Sequence, residues 1–486
     1  MDLSKIIKNI DAVEVLNFKD IDIKGISYNS NTINSHEIFV CLKGEHVDGH
    51  DFAQSAFEKG AVALMCEKPL NIEIPQIIVK STQESIADLA AVFYHNPTLS
   101  MNLMGVTGTN GKTTVAHLVQ KIFEENNKKC ALIGTLGYKM SSKDDYLEAK
   151  HTTPQAPQMQ ETLQKILNSD ILNVITEVSS HALEQYRVKN CNFSTAVFTN
   201  LTQDHLDYHI TMDNYFSAKA KLFKGLKKGN SAVVNLDDKY ANRLLEVIDS
   251  DVNTLTYGVK KEADLMAKNI EFMSDGVTFD CVYKNQSVNL KLHLNGMFSV
   301  YNCLAAIGCA LVNGIGLDVA KSALEVTRSV AGRFEIVQTN PMVIVDYAHT
   351  PDGLENILRA ARELTPKDAN LICLFGCGGN RDCTKRPKMG KIAQQLCDKI
   401  VITSDNPRSE DPQQIITDIL SGLALINPKT VYVEPDRHLA IKLLKDISNE
   451  NDVLVLAGKG HENYQILADR TVHFDDREEV IKVFGE

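Results

Sequence analysis

One segment of the 486-residue sequence carries the groups needed to hold a phosphate. Residues 103–123, LMGVTGTNGKTTVAHLVQKIF, read as a strand, a glycine loop and a helix, with Gly111-Lys112-Thr113 closing the loop. Backbone N–H groups in such a loop surround a phosphate, the helix N-terminus adds its positive dipole, and the Lys112 ammonium neutralises terminal phosphate charge. The Thr113 hydroxyl is then placed to meet Mg2+. The generic phosphate loop has a glycine six positions before its lysine; here that place is Val106, and glycines stand at 105 and 108 instead. A chance Gly-Lys-Thr turn is the alternative, opposed by the strand before it and the helix after it.

Other chemistry-bearing side chains also follow apolar runs. Glu177 ends VITEV, and side chains at strand C-termini of open α/β sheets face a ligand. A carboxylate there holds Mg2+ opposite Thr113, or else caps the SSHAL helix that follows. NLTQDHLDYH crowds Asp204, His205, Asp207 and His209 into six residues, open to a metal-binding and to a structural reading. Lys219 and Lys221 lie in the helical stretch YFSAKAKLF, where solvated lysines are the default. Three more polar turns follow strands: GCGGNRDCTKRP with Arg381; TSDNPRSEDP with Asp405, Asn406, Pro407 and Arg408; and LAGKGHENYQ with Gly458, Lys459, His461 and Glu462. Together they imply one pocket at a sheet's C-terminal edge, suited to a ligand with both an ammonium and carboxylates; three unrelated solvated turns are the alternative.

The elements that must position these residues alternate. MVIVDYAH, LICLFG, KIVITS and DVLVLAG read as buried strands between helical patterns, which argues for α/β architecture with parallel sheets. The first hundred residues are more mixed and end in the turn-rich YHNPTLSMN, placing a boundary near residue 98. A second falls at Ala331-Gly332-Arg333, where the helical run CLAAIGCALVNGIGLDVAKSALEV gives way to the strand around Val343. At roughly 150 residues per domain, the length fits three. A composition of 44% hydrophobic and 23% charged residues excludes disordered and fibrous classes. The net charge of -11 opposes general attraction to nucleic acid or anionic membrane. The N-terminus lacks a secretory pattern, and no apolar run reaches the roughly 18 residues of a membrane span. The 11 scattered cysteines read as reduced, mostly buried thiols of a cytoplasmic protein. Only 12 arginines stand against 39 lysines, nine of them from Arg333 onward; codon bias explains this, or guanidinium is kept for planar, bidentate contacts.

GVTGTNGKTT, EVSSHALEQYRV, FTNLTQDHLDYH, YFSAKAKLF, GRFE, VDYAHTP, GCGGNRD, DNPRSEDP and LAGKGHE, in order from about Ser30 to Glu462, resemble the Mur ligase family of cell-wall enzymes. The family's own loop is TGTNGKTT, so Val106 is no departure. The resemblance implies three domains: a uridine-nucleotide domain over residues 1–98, a central phosphate-loop ATPase over 99–332, and a Rossmann-like amino-acid domain over 333–486. It implies that ATP phosphorylates the D-glutamate side-chain carboxylate of UDP-N-acetylmuramoyl-L-alanyl-D-glutamate, and that an amino acid's amine attacks the acyl phosphate. It further implies that Gly108, Thr109, Asn110, Gly111, Lys112, Thr113 and Thr114 hold ATP, with Asn302 on the base side, Arg333 on phosphate and Asp346 on ribose. Thr113 and Glu177 go to one Mg2+; His205 and Lys219, carbamylated to an anion, go near a second. The nucleotide substrate falls to Tyr28, Ser30, the Glu45-His46-Val47 loop, His151, Thr152, Thr153, Ser179, Gln185 and Arg187. Arg381, Asp405, Asn406, Pro407, Arg408, Gly458 and Glu462 make the amino-acid site. Arginine at the end of DNPR resembles the type that adds meso-2,6-diaminopimelate, whose second carboxylate Arg408 can pair with. The expected partners are therefore these small molecules, and the expected state is a monomer whose domains close around them. A lysine-adding ligase, a folylpolyglutamate synthase and a catalytically silent nucleotide-binding scaffold are the alternatives.

Overall fold

The structure, a computed structural model, describes all residues except Glu45, His46, Glu148, Ala149, Lys150, Ser274, Ser329 and Glu486. These residues form two compact units: Met1–Gly105, Lys128–Ala196 and Lys221–Asn230 make the first, and Val106–Asn127, Val197–Ala220 and Ser231–Glu486 the second.

In the first unit, β1 (Glu14–Leu16), β2 (Gly25–Ser27), β3 (Glu37–Val40), β4 (Ala61–Cys66) and β5 (Gln76–Ile78) form a sheet in the order β1-β5-β4-β3-β2, parallel except for β1. Its strands are apolar on both faces because both are covered. Ile38, Val40, Ala63 and Met65 pack with Leu3, Ile86 and Leu89 on one side, while Phe39, Cys41, Leu64 and Cys66 pack with Ala53 and Ala56 on the other. The helix Thr82–Phe93 starts at Ser81, whose hydroxyl accepts from Glu84 N, a cap worth about 1 kcal/mol. The turn-rich stretch read from sequence is present, with Asn96 at φ 51 before the short turn Pro97–Ser100. Then come β6 (Asn102–Thr107), β7 (Cys130–Gly134), β8 (Gly137–Lys139), β9 (Asn173–Glu177) and β10 (Phe193–Phe198), in the order β10-β6-β9-β7-β8. β7 and β9 are parallel, and their last residues bring Gly134 and Glu177 side by side.

The second unit opens with β11 (Ser231–Asn235), β12 (Asn253–Gly258), β13 (Leu265–Met273), β14 (Gly276–Tyr283) and β15 (Gln286–Leu292), neighbours in that order. β11 to β13 are parallel, and β13 to β15 form an antiparallel meander at the edge of what is expected to be a mainly parallel sheet. The helical run of residues 303–326 also differs from expectation, because it belongs to two helices, Met297–Val312 and Leu317–Glu325. Gly314, at φ 75, makes the break: this left-handed conformation ends a helix at little cost only for glycine.

Next, β16 (Glu335–Thr339), β17 (Met342–Asp346), β18 (Leu371–Phe375), β19 (Lys399–Ile402), β20 (Val431–Val433) and β21 (Val453–Ala457) form a sheet in the order β16-β17-β21-β18-β19-β20, parallel except for β16. Alternate residues again feed two cores: Cys373, Phe375, Ile400 and Val455 on one face, Ile372, Leu374, Val401 and Leu454 on the other. A hairpin of β22 (Tyr464–Ile466) and β23 (Thr471–His473) follows. Beneath the C-terminal ends of β19 and β21 lies Arg437, fully buried. Its guanidinium donates twice to Asp476, at 2.7 and 2.7 Å, and once each to Ser404 O and Ala457 O. One buried ion pair thus ties together the strand ends that carry residues 405–408 and 458–462.

Candidate active site

In the second unit, the phosphate loop is built by close approach. A Cβ on Gly108 would stand 1.8 Å from Thr199 Oγ1, and one on Gly111, at φ 88, would stand 2.3 Å from Asn302 Oδ1. Glycine is therefore needed at 108 and 111, whereas Val106 is a fully buried strand residue. Thr199 Oγ1 donates to Asn110 O, and Asn110 N donates to Asn200 Oδ1, which pins the loop. Lys112 Nζ, at the head of the helix Lys112–Glu125, donates to Gly108 O and Thr109 O at 2.9 and 2.9 Å.

The loop borders a cavity of about 340 Å³ that also receives Thr114, Asn302, Arg333 and Asp346, so the structure brings the sequence-read ATP residues together. Arg333 Nη2 donates to Thr113 Oγ1 at 3.1 Å, and its guanidinium lies 4.7 Å over the Tyr347 ring. Asp346 accepts from Phe334 N and Ala348 N; burial pushes its carboxyl up and the Arg333 guanidinium pulls it back. Tyr347, Tyr301, Asp237 and Asp352 also line the cavity and were not read from the sequence. Tyr347 follows Asp346 in the VDYAHTP motif, a signal that was available; Tyr301 and Asp237, bonded at 2.8 Å, meet only in the fold.

The two lysines of YFSAKAKLF divide. Lys221 is exposed and pairs with Glu184 at 2.8 Å, as the default reading has it. Lys219, on the helix Met212–Lys224, is only 2% exposed, and its Nζ donates to Gly108 O at 2.8 Å. Burial, then the Lys112 ammonium, hold the Lys219 amine well below the usual lysine range.

The cluster of residues 204–209, open to a metal-binding and to a structural reading, also divides. His209 is buried and stacks on Tyr215 at 5.0 Å. Asp207 is exposed at the surface. Asp204 is buried, with His205 Nε2 at 3.2 Å and His349 Nε2 and Lys385 Nζ at 3.6 Å each. Burial would raise its carboxyl, but His205, Lys385 and His349 hold it well below the usual range. Among the described residues no group of three His, Cys, Asp or Glu is arranged to hold a metal ion.

In the first unit, Glu177 is fully buried at the end of β9, accepting from Thr135 N and Thr135 Oγ1 at 2.9 and 2.9 Å. It does not cap the helix Ser180–Glu184; Ser179 does, accepting from Ala182 N. Thr152 Oγ1 lies 3.2 Å from Thr135 Oγ1. Thr153 Oγ1 donates to Glu177 O and accepts from Ser179 N, and Arg187 donates to Thr153 O and to Gln185 Oε1. Tyr28 and His151 line a separate cavity of about 540 Å³. Gln158, Thr162 and Lys165 line it too; their spacing along the helix Ala156–Asn168 marks one face, a signal the sequence held. Tyr28 Oη donates to Gln158 Oε1 at 3.1 Å. Ser30 is buried outside the cavity lining, with its carbonyl accepting from Lys59 Nζ. Val47 is exposed, and Glu45 and His46 lie outside the described residues.

The three C-terminal loops of the second unit converge, as expected. Asn406 Nδ2 donates to Glu462 Oε2 at 2.8 Å, and a Cβ on Gly458 would stand 2.5 Å from Asp405 Oδ2. Around Pro407 the chain turns so that Gly379 N donates to Asn406 O, and Arg408 Nη1 donates to Gly379 O at 2.9 Å. A Cβ on Gly378 would touch both Arg408 Nη1, at 2.9 Å, and Arg381 Cγ, at 3.7 Å, so the two arginines flank one glycine. Burial, then the Arg381 charge, lower the Arg408 guanidinium from its ordinary value. Both guanidiniums donate to backbone carbonyls, and among the described residues neither forms an ion pair with a carboxylate.

Sequence profiles of known families match most of the chain: the Mur ligase family catalytic domain over residues 22–98, the Mur ligase middle domain over 106–310, and the Mur ligase glutamate ligase domain over 332–460. A protein of Clostridium botulinum named UDP-N-acetylmuramoyl-L-alanyl-D-glutamate–2,6-diaminopimelate ligase is 42% identical over 495 residues, covering 100% of both chains. One of the same name from Halalkalibacterium halodurans is 44% identical over 461 residues, covering 94% of this chain and 93% of its own. A solved structure of an enzyme with that name superposes with a TM-score of 0.66 at 31% identity, covering 95% of each chain.

Proposed function

This chain belongs to the Mur ligase family, and from that premise we propose that it is an ATP-dependent ligase that adds meso-2,6-diaminopimelate to UDP-N-acetylmuramoyl-L-alanyl-D-glutamate in the cytoplasm. The observation that carries the choice of amino acid is the pair Arg381 and Arg408, two guanidiniums beside Gly378 with no carboxylate within salt-bridge distance among the described residues. A diaminopimelate carboxylate supplies the missing anion; the side-chain ammonium of lysine would add a third cation. We assign residues 1–98 to the uridine nucleotide, 99–332 to ATP and 333–486 to the amino acid, in a monomer.

The carboxylate of the dipeptide is a poor electrophile, so ATP first transfers its terminal phosphoryl group to a carboxylate oxygen. The amine, having lost a proton, then attacks the acyl carbon, and phosphate leaves with that oxygen. Catalysis is chiefly positioning and charge stabilisation. The loop of residues 108–111 and Lys112 hold phosphate oxygens, and Arg333 meets the terminal phosphate from over Tyr347. Tyr28 and His151 contact the uridine nucleotide, and Arg187 with Thr153 its dipeptide. Glu462 and Asp405 receive the amino acid's ammonium groups.

The donor chemistry fits Mg2+: the Thr113 hydroxyl and the Glu177 carboxylate are the hard oxygen ligands it prefers. When bound it neutralises phosphate charge. The buried Lys219 amine, whose proton is disfavoured by burial and Lys112, fits the carbamate assigned to it, because only an unprotonated amine adds CO2, losing one proton as it becomes anionic. His205, held by Asp204, is assigned beside that carbamate.

Dipeptide substrate labelled with 18O in the glutamate side-chain carboxylate tests the route. One label is expected in the released phosphate; phosphate free of label would exclude the acyl phosphate.

A further inference from the structure

Lys459 is a buried cation for which the proposed chemistry has no use. It sits in the loop after β21 and is 0% exposed. Its Nζ lies 3.3 Å from Glu462 Oε2 and 3.5 Å from Asn406 Oδ1, and also donates to Tyr464 O. Asn406 is itself buried and donates to the same Glu462 oxygen at 2.8 Å, while its Oδ1 accepts from Ile466 N at 2.9 Å. Glu462 Oε2 thus has two donors, whereas among the described residues Oε1 has only the Tyr464 hydroxyl, 3.5 Å away. A buried ammonium is costly unless paired, so its place here is specific.

We propose that Lys459 is a positioning residue of the amino-acid site: with Asn406 it engages one oxygen of Glu462 and leaves the other to receive the ammonium of the incoming amino acid. The inference rests on the function proposed above. Its electrostatic counterpart is the ionisation of Glu462. Burial and the Asp405 carboxylate push the Glu462 carboxyl up, and Lys459 and the Asn406 amide pull it down. The other charged or titratable groups facing it are Tyr464, Tyr347, Arg408 and Arg437. The carboxyl is raised on balance even with Lys459 in place; without it the carboxyl rises further, so Glu462 protonates at higher pH and loses its hold on an ammonium.

The test uses the full-length enzyme and phosphate release with the amino acid that the wild type turns over fastest. By the proposed function that is meso-2,6-diaminopimelate. Should another amino acid win, that reading fails, while the Lys459 comparison proceeds with the winner. Lys459→Met is expected to raise the amino-acid KM about tenfold, as expected when a buried polar group loses a charged partner, with kcat and the KM for ATP little changed. The acid limb of kcat/KM for the amino acid should move up by about one pH unit, and Lys459→Arg should return it. In a Glu462→Gln background the same substitution should add almost nothing. If Lys459→Met does not fold, Lys459→Gln takes its place in each comparison. An unchanged acid limb, or an undiminished effect in the Glu462→Gln background, would overturn the proposal.

Discussion

Lys219 shows how far a residue's chemistry depends on its setting. In sequence it is one of two lysines in an amphipathic helix, and only Lys221 behaves as solvated. In the structure Lys219 is a buried amine against Gly108 O, and burial and Lys112 disfavour its proton. Lys219→Ala should therefore lower kcat by about a hundredfold or more, the usual effect of removing a preorganised charge. Added short carboxylic acids should restore part of it by standing in for the carbamate. Steady-state phosphate release checks both, and an active variant would remove Lys219 from the site. The identity of residues 108–112 was legible in the sequence because a phosphate loop is local. The state of Lys219 was not, since its burial is set by residues about a hundred positions away.

At the scale of elements, strand ends were the legible feature. β17, β18, β19 and β21 were all read from apolar runs, and their loops meet as expected. The support beneath them was not legible: Arg437 and Asp476 are 39 residues apart, and nothing local says that either is buried. Breaking such a pair leaves an uncompensated charge, so Arg437→Met should cost about 3–5 kcal/mol in urea unfolding. A loss below about 1 kcal/mol would mean the pair does not hold the strand ends. The meander of β13 to β15 and the break at Gly314 were missed for the same kind of reason. Short alternating strands give weak patterns, and one glycine inside a long apolar run is easily passed over.

For the whole molecule, a net charge of -11 must coexist with anionic and zwitterionic substrates. Surface charges are screened within about 8 Å at physiological ionic strength, so cations at the sites outweigh the total. The sparing use of arginine fits this. Arg333 reaches Thr113, Arg408 and Arg381 flank Gly378, Arg437 is buried, and Arg386 bridges Glu410 and Asp418. Hydrogen exchange should separate the ligands: ADP is expected to protect residues 106–114 and 331–348, and the uridine nucleotide residues 26–32 and 151–162. Protection of the first set by the uridine nucleotide alone would contradict that assignment. The central claim is that this ligase adds diaminopimelate. It is tested most directly by phosphate release with ATP, the nucleotide dipeptide and each of a panel of amino acids. The highest kcat/KM is expected with meso-2,6-diaminopimelate; a higher value with L-lysine would refute the assignment.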